Sequence, residues 1–563
     1  MSTKYTDTID SDFKGEDTFE KYIPFWRKTD LDNATNRYLL IMMRFFQAVY
    51  MTQNMVHPDE YWQSIEVAYD HVYGGVELPW EWHPKYRLRS TLYPYYLISF
   101  LSLIKFLQID YAIVVRLYPY VAHSLLVILS DQYLWKVGLK TVGRNATRIG
   151  FIFYVTNRVY NEVIIRCFGN SVEAISYIIA FNYFLDVKDK FNKTTAIMTA
   201  LISLSFMIRS TSPIGWIPLL LLKIVQDKSF FAFLKAGFFI AIPLVTFCIY
   251  LDTTFYGEFT VTGYNFLKVN ILEGVSRYFG TEPPYYYVFV FLPLYFTSAY
   301  PSLIYAIYNY YKECSQKKQT PYMVYMTLFY VLIFSLIAHK EYRFMQPIIP
   351  FCFLMLGYLY ANSVKNYGKI VRTLLWLHII EQLVTYVIIH NFHFRQWETM
   401  RDLADMEEAP HSIFSMQKAD LPYYSWTHRK SYGEGKNRTE LILYKKDPPA
   451  ARMLSGVPYQ VLHDHDYNGC LQMIDDIEQG IVRPQYIITF EFLCSNNFYC
   501  WQVCQKKFDS LGYYTLYKSY KPHMDVVHSR LTIYWRTRYL YKLKDEYEPY
   551  GIKGPKSHLK NQQ

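Results

Sequence analysis

Two adjacent carboxylates, Asp59 and Glu60, follow directly on an apolar stretch. Ionised groups there gain nothing for membrane insertion and must be hydrated or paired, which marks them as functional. The segment they open runs from His57 to Pro94, HPDEYWQSIEVAYDHVYGGVELPWEWHPKYRLRSTLYP, and also holds Gln63, the trio Trp80, Glu81 and Trp82, and the basic residues Arg87 and Arg89. A carboxylate pair, aromatic rings and guanidinium groups at one membrane surface suit a site handling a sugar and a lipid phosphate. A second cluster, His339-Lys340-Glu341-Tyr342-Arg343-Phe344, places five polar residues in six positions between two charge-free apolar runs. Its cationic groups suit a phosphate, with arginine offering a planar fork and lysine a point charge. A topological stop signal is the competing explanation, but the neighbouring connectors are more basic. Arg166, Asn170 and Glu173 recur at about one helical turn within an apolar region, and Arg209 ends another; Arg116, Asp131 and Glu381 lie deeper. Such residues face a protein interior or a wet cavity.

The elements that must position these groups are membrane helices. Of 563 residues, 52% are hydrophobic and 19% aromatic, yet mean hydropathy is −0.02, so an apolar and a polar population are being averaged. Charged residues make up 19%, below the roughly 25% of soluble domains. This composition excludes disorder and collagen, and the net charge of +10 is not read as a nucleic-acid partner. A bilayer core needs about 20 apolar residues per helix. Tyr322–Ala338 and Met345–Ala361 are uncharged; Tyr38–Val56, Leu92–Leu107, Ala112–Trp135, Ile149–Ile165, Val172–Leu185, Ala196–Ile208, Ile214–Leu222, Ala236–Leu251, Tyr287–Tyr308 and Leu374–Ile389 are weaker. The expected fold is an all-α polytopic membrane protein of about 11–12 segments with a small C-terminal luminal α/β domain.

Basic connectors near Lys136–Arg148, Lys223–Lys228, Lys312–Lys318 and Lys365–Arg372 face the cytosol by the positive-inside rule. Residues 1–37 then form a cytosolic arm, 38–391 the transmembrane domain with its first luminal loop at 56–91, and 392–563 the luminal C-terminal domain. That parity asks for an odd number of passes, such as eleven. The short pair Ala196–Ile208 and Ile214–Leu222, split by Arg209 and Pro213, is the expected miscount. Tyr38–Val56 reads as a signal anchor with no cleavage pattern. Tyr61, Ile65, Ala68 and Val72 recur at helical spacing and predict an amphipathic interfacial helix, with Trp80, Trp82 and Tyr86 as rings at headgroup depth. Cys470, Cys494, Cys500 and Cys504 all fall in the tail and permit two disulfides of open connectivity, with zinc as the lesser reading. Sequons at Asn33, Asn145, Asn192 and Asn437 leave Asn437 as the one luminal acceptor clear of a span. Strands are expected at 459–464, 485–493 and 529–536.

With HPDEYWQSIEVAY at 57–69, PWEWHPKYRLRSTLYP at 79–94 and HKEYRF at 339–344, the sequence resembles the dolichyl-phosphate-mannose-dependent α-mannosyltransferases of the endoplasmic reticulum, whose fold is GT-C. WEW followed by LRS-YP, RCFGNSVEA at 166–174, IRST at 208–211, YNFLKVNIL at 264–272 and PYYSWTH at 422–428 are similar to the enzymes that add the third mannose of the GPI anchor. The HPDE start is also similar to the fourth-mannose enzymes, and dolichol-linked oligosaccharide mannosyltransferases belong to the same family.

The resemblance implies transfer of one mannose from dolichyl-phosphate mannose to a two-mannose GPI precursor, forming an α1,2 bond at the luminal face. A β-linked donor and an α product require one inverting displacement with one general base. By motif position that base is Asp59. Glu60 positions the acceptor or tunes Asp59, and Lys340, Arg343, His339 and Arg209 meet the phosphate charge. Substrate contacts are expected from His57, Gln63, Trp80, Glu81, Trp82, Arg87, Arg89, Arg166, Asn170, Glu173 and Glu341. No cofactor or metal is expected; the partners are membrane lipids, the donor lipid and the GPI precursor. A transporter or scramblase predicts inverted repeats, which the sequence lacks, and leaves the acidic loop without a task.

Overall fold

The computed structural model describes residues 16–52, 57–76, 78–392, 397–404, 406, 412–415, 425, 426, 428, 440–442, 465–490, 500–520, 523–527, 532–536 and 538–547. In lipid, backbone N–H and C=O groups must be paired internally, and a helix does this within one segment. Every long described element from Ala34 to Phe392 is accordingly helical. Ala112–Thr141, Phe230–Tyr256, Tyr287–Gln316 and Ile349–Ile388 are long and apolar enough to cross a membrane; Arg158–Ile164 and Gly169–Phe184 form an apolar pair bent by 103°. Leu92–Phe106, Lys193–Ile208 and Tyr322–Leu336 are shorter apolar helices.

The chain folds as two units. The first is drawn from Met1–Thr52, Glu81–Ser99 and Pro119–Val387, the second from Gln53–Trp80, Phe100–Tyr118 and Ile388–Gln563.

In the first unit, contacts between helix ends set the order of crossings. Asp30 pairs with Arg144 (3.2 Å) and with Arg148, Asp32 with Arg144 (2.6 Å), and Lys140 with Asp186 (2.6 Å). The start of Ala34–Tyr50 and the ends of Ala112–Thr141 and Gly169–Phe184 therefore share one level. Lys193–Ile208 departs from that level. Ile217–Asp227 returns to it, because Lys223 Nζ donates to the Val187 carbonyl (3.2 Å). The two short helices are therefore separate elements that leave and regain the same level.

Ile349–Phe392 is two arms. Phe153 packs its ring 5.2 Å from Tyr360 and 4.9 Å from His378, which a straight helix at 1.5 Å per residue would hold about 27 Å apart. The chain turns back at Tyr367, whose φ/ψ of −129°/31° leaves the helical region. Gly368 makes room for the Tyr22 ring, which a Cβ would meet at 2.3 Å.

Several charged groups within the spans have polar partners. Arg44 donates to Asp131 at 2.8 and 2.9 Å, to Asn161 (2.5 Å) and to Gln47 (2.9 Å), while Tyr154 donates to Asp131 (2.5 Å). Glu381 accepts from Ser298 (2.6 Å) and Thr297 (2.9 Å) at a helix break. Two sequons are helix caps: Asn33 accepts from the Asn36 amide and Asn192 from the Thr195 amide.

In the second unit, Lys105 Nζ donates to the Val72 carbonyl (2.6 Å) and Tyr73 to Asp110 (3.0 Å). Lys105 therefore lies beside the end of the helix Glu66–Tyr73. Leu92–Phe106, at 15 residues, is shorter than the described helices that are long enough to cross a membrane.

The tail contributes strands β1 (Ser412–Ser415), β2 (Glu440–Ile442), β3 (Tyr486–Phe490), β4 (Tyr514–Ser519), β5 (His523–Val527), β6 (Thr532–Arg536) and β7 (Arg538–Leu543). A mixed sheet runs β2-β1-β3-β7-β4, with β1 parallel to β2 and β3 and the remaining pairs antiparallel; β5 and β6 form a separate pair. Met473, Ile474 and Ile477 of one helix and Cys504 and Phe508 of another pack on Ile487 and Tyr541. Two expected strands are present; residues 459–464 lie outside the described residues, as does Asn437. Cys504 is disulfide-bonded, while Cys494 and the side chains of Cys470 and Cys500 lie outside the described residues.

Candidate active site

In the second unit, Pro58 opens a wide turn. Its carbonyl accepts from the amides of Tyr61 (3.1 Å) and Trp62 (3.2 Å). The turn Tyr61–Ile65 continues as the helix Glu66–Tyr73, which ends at Gly74, where φ is +75°. The two carboxylates have different surroundings: the Asp59 side chain is 27% exposed, whereas Glu60 is fully buried. The Asp59 amide donates to His57 Nδ1 (3.2 Å), so the imidazole stands beside the carboxylate. Gln63 and Trp80 are half-buried.

The helix expected here is present as the turn Tyr61–Ile65 and the helix Glu66–Tyr73. Tyr61, Trp62, Ser64, Ile65, Glu66, Val67, Ala68 and Tyr69 are buried, while Gln63 and Asp70 are half-buried and His71 is exposed.

In the first unit, the WEW and LRS elements are fixed by residues far along the chain. Trp82 is buried against Phe255 (5.8 Å) and Tyr256 (6.2 Å), and Tyr86 is buried too. Both rings pack into protein. Arg89 pairs with Glu81 and Arg87 with Glu258, each at 2.5 Å. Arg87 has a φ of +47°, unusual for a side chain with a Cβ. Asp252 organises the turn: it accepts from the Thr91 amide (2.7 Å), the hydroxyls of Thr91 (2.7 Å) and Ser90 (3.1 Å), and Thr262 (2.9 Å). Asn265 of the YNFLKVNIL element donates to the Arg87 carbonyl (3.1 Å). Sequence reasoning missed Asp252; its signal was a lone carboxylate closing an apolar run.

The HKEYRF connector is an ion triad. Glu341 accepts from Arg343 at 2.5 and 3.0 Å and lies 3.0 Å from His339 Nε2, while His339 Nδ1 faces the Gly280 carbonyl (3.0 Å). Burial disfavours the charged imidazole, but the bond to Glu341, its charge and the Gly280 carbonyl outweigh that and raise the His339 pKa. Lys340 donates to the carbonyls of Glu282 (2.9 Å) and Ile337. Burial lowers its pKa, the Glu282 charge opposing. Glu282, also missed, is itself raised by burial against the pull of Lys340 and His339.

Arg209 joins this cluster. It pairs with Glu173 (2.9 Å), donates to Asn170 (3.0 Å) and lies 5.1 Å from the Phe344 ring, which Arg343 also approaches at 6.0 Å. Tyr330 donates to the Phe344 carbonyl (3.1 Å) and lies 3.4 Å from Glu173. Arg89, Arg209, Ser210, Thr211, Thr262 and Phe266 line a narrow cleft of about 20 Å³. Arg166 is turned instead to the carbonyls of Glu162 (3.1 Å) and Met51 (2.9 Å), tying down the end of the Ala34–Tyr50 helix. Among the described residues, no group of three or more His, Cys, Asp or Glu is placed to hold a metal ion.

Residues 37–428 match the Alg9-like mannosyltransferase family. GPI alpha-1,2-mannosyltransferase 3 of Bos taurus is 27% identical over 414 residues, covering 70% of this chain and 73% of that protein. The Homo sapiens protein of that name is 27% identical over 411 residues, 70% of each chain. GPI mannosyltransferase 3 of Yarrowia lipolytica is 26% identical over 380 residues, 67% of this chain and 72% of that one. ArnT from Cupriavidus metallidurans, crystallised bound to undecaprenyl phosphate, superposes with a TM-score of 0.55 at 11% identity, covering 92% of this chain and 100% of that one. This likeness bears out the GT-C expectation for the fold. The chain is a multi-pass membrane glycosyltransferase and belongs to the Alg9-like mannosyltransferase family.

Proposed function

We propose that this enzyme transfers the third mannose, in α1,2 linkage, from dolichyl-phosphate mannose to a GPI precursor bearing two mannoses, at the luminal face of the endoplasmic reticulum membrane. The names of the relatives support the acceptor and the linkage. The observation that carries the chemistry is the division between the two carboxylates: Asp59 is open to solvent and Glu60 is enclosed.

An open carboxylate can take the acceptor hydroxyl proton. The hydroxyl oxygen then bonds to the anomeric carbon as the bond from that carbon to the phosphate oxygen breaks, and the β configuration becomes α. The electron pair departs with dolichyl phosphate. Arg209 and Arg343, each held by a carboxylate and sharing the Phe344 ring, offer planar forks to that phosphate, with His339 and Lys340 beside Arg343 in sequence. Because the leaving group is already a phosphate, the reaction as proposed uses no metal or cofactor. Glu60, buried beside Asp59, supports its orientation.

The test is mass analysis of the GPI precursors that accumulate when the protein is removed. Precursors halted at two mannoses support the third transfer, a three-mannose stop assigns the fourth instead, and an unchanged profile rejects GPI assembly.

A further inference from the structure

The helix that follows the carboxylates is held along one face. Ser425 donates its hydroxyl to Glu66 (2.8 Å), and its amide lies 3.3 Å from both Glu66 oxygens. Glu66 is fully buried and opens the Glu66–Tyr73 helix. One turn on, the Tyr69 hydroxyl meets His428 Nδ1 (2.9 Å), and His428 Nε2 lies 3.0 Å from the Asp110 carbonyl. A carbonyl only accepts, so Nε2 carries the proton, and in the neutral ring Nδ1 accepts from Tyr69. Tyr73 donates to the Asp110 carboxylate (3.0 Å), and Trp426 packs against Arg116 (4.7 Å).

Glu66, Tyr69 and Tyr73 recur at the spacing of one helix face. Purely apolar contact would let the helix slide or roll at small cost. Buried polar partners do not, because any shift of register strands Glu66 and His428 without hydrogen bonds in a low-dielectric interior. The contacts therefore define the rotation of this helix, and with it the wide turn Tyr61–Ile65 and the Asp59 and Glu60 that lead into it.

We infer that Glu66, Tyr69, Ser425 and His428 are positioning residues for the transfer, and that this tail segment clamps the carboxylate-bearing helix and does not read the acceptor glycan. The inference rests on the proposed mannose transfer.

The experiment uses the full-length protein in microsomes, assayed with dolichyl-phosphate mannose and a two-mannose GPI acceptor. Glu66→Gln, Ser425→Ala, Tyr69→Phe and His428→Gln are compared with Lys518→Met, which breaks a pair with Asp402 elsewhere in the same unit. The clamp predicts a kcat reduced tenfold or more in the Glu66, Ser425 and His428 variants, both KM values within twofold of wild type, and wild-type kcat for Lys518→Met. The Glu66→Gln/Ser425→Ala double variant should be no worse than its poorer parent. Hydrogen exchange should quicken across Tyr61–Tyr73 and stay unchanged across Ala112–Thr141, a readout that holds even where activity is lost. Full kcat in the single variants, or losses confined to the acceptor KM, would overturn the clamp. Asp59→Asn separates the two ideas. If it stays active while Glu66→Gln loses kcat, the base assignment fails and the clamp stands; if it is inactive while the clamp variants keep full kcat, the base stands and the clamp fails.

Discussion

Glu341 grips Arg343 through two hydrogen bonds, at 2.5 and 3.0 Å, so the guanidinium is oriented before any phosphate arrives. The same carboxylate reaches His339 at 3.0 Å. A fork held in place loses less freedom on binding an anion than a free side chain does. Arg343→Lys keeps the charge and loses the two-point geometry; a fall in transfer of tenfold or more, at normal abundance, is expected in a microsomal assay.

His339 gives this connector a pH dependence. Its folded pKa is raised, so its contribution is fully present below the ordinary histidine value and is lost as pH rises through the folded one. If the protonated ring helps hold the phosphate, the donor KM should rise over that alkaline window. His339→Asn should flatten the dependence, and Glu341→Gln should shift it toward the ordinary value of about 6.5.

His428 has the opposite sign. Burial lowers its pKa, Asp110 pulling upward through its carbonyl and charge and Lys105 adding to the fall. The unfolded chain therefore binds a proton that the folded chain refuses, and stability is lost as pH falls through the ordinary histidine range. The groups facing the ring are Tyr69, Tyr73, Asp110 and Lys105. A reversible decline of kcat below about pH 6.5 is expected, absent in His428→Gln.

Arg44 and Asp131 form a buried pair with their remaining bonds satisfied by Gln47, Asn161 and Tyr154. Removing one partner leaves a charge without compensation, at a cost of about 3–5 kcal/mol. Asp131→Leu should sharply reduce abundance, and Arg44→Met in the same chain should restore much of it; immunoblots of membranes report both.

Crossing order can be read by labelling. Leu107 and Ser315 are exposed. In sealed microsomes a membrane-impermeant maleimide should label Ser315→Cys directly and Leu107→Cys only after detergent, because Lys105 lies beside Val72 of the first loop. Direct labelling of Leu107→Cys would make Leu92–Phe106 a span.

What the sequence made legible follows from which forces are local. Tyr322–Ala338 announces a membrane helix because bilayer insertion depends on the segment itself. Asp59, Glu60 and the HKEYRF connector stood out because ionisable groups beside spans need a reason to be there. Leu92–Phe106 is as apolar as its neighbours, and no spacing shows that Lys105 near its end meets the Val72 carbonyl. Trp82 reads as an interfacial ring, and no spacing shows that Phe255 and Tyr256, more than a hundred positions away in the chain, pack against it. Asp252 and Glu282 escaped for the same reason: each matters through a partner that no spacing encodes.

The account turns on Asp59, and one comparison tests it most directly. Microsomes carrying wild type or Asp59→Asn at equal abundance are given β-linked dolichyl-phosphate mannose and a two-mannose GPI acceptor, and the linkage of any product is determined. The account predicts an α1,2-linked third mannose from wild type and a loss of at least a thousandfold, about 4 kcal/mol of transition-state stabilisation, from Asp59→Asn. Near-normal transfer by Asp59→Asn, with the same α1,2 product, would contradict it.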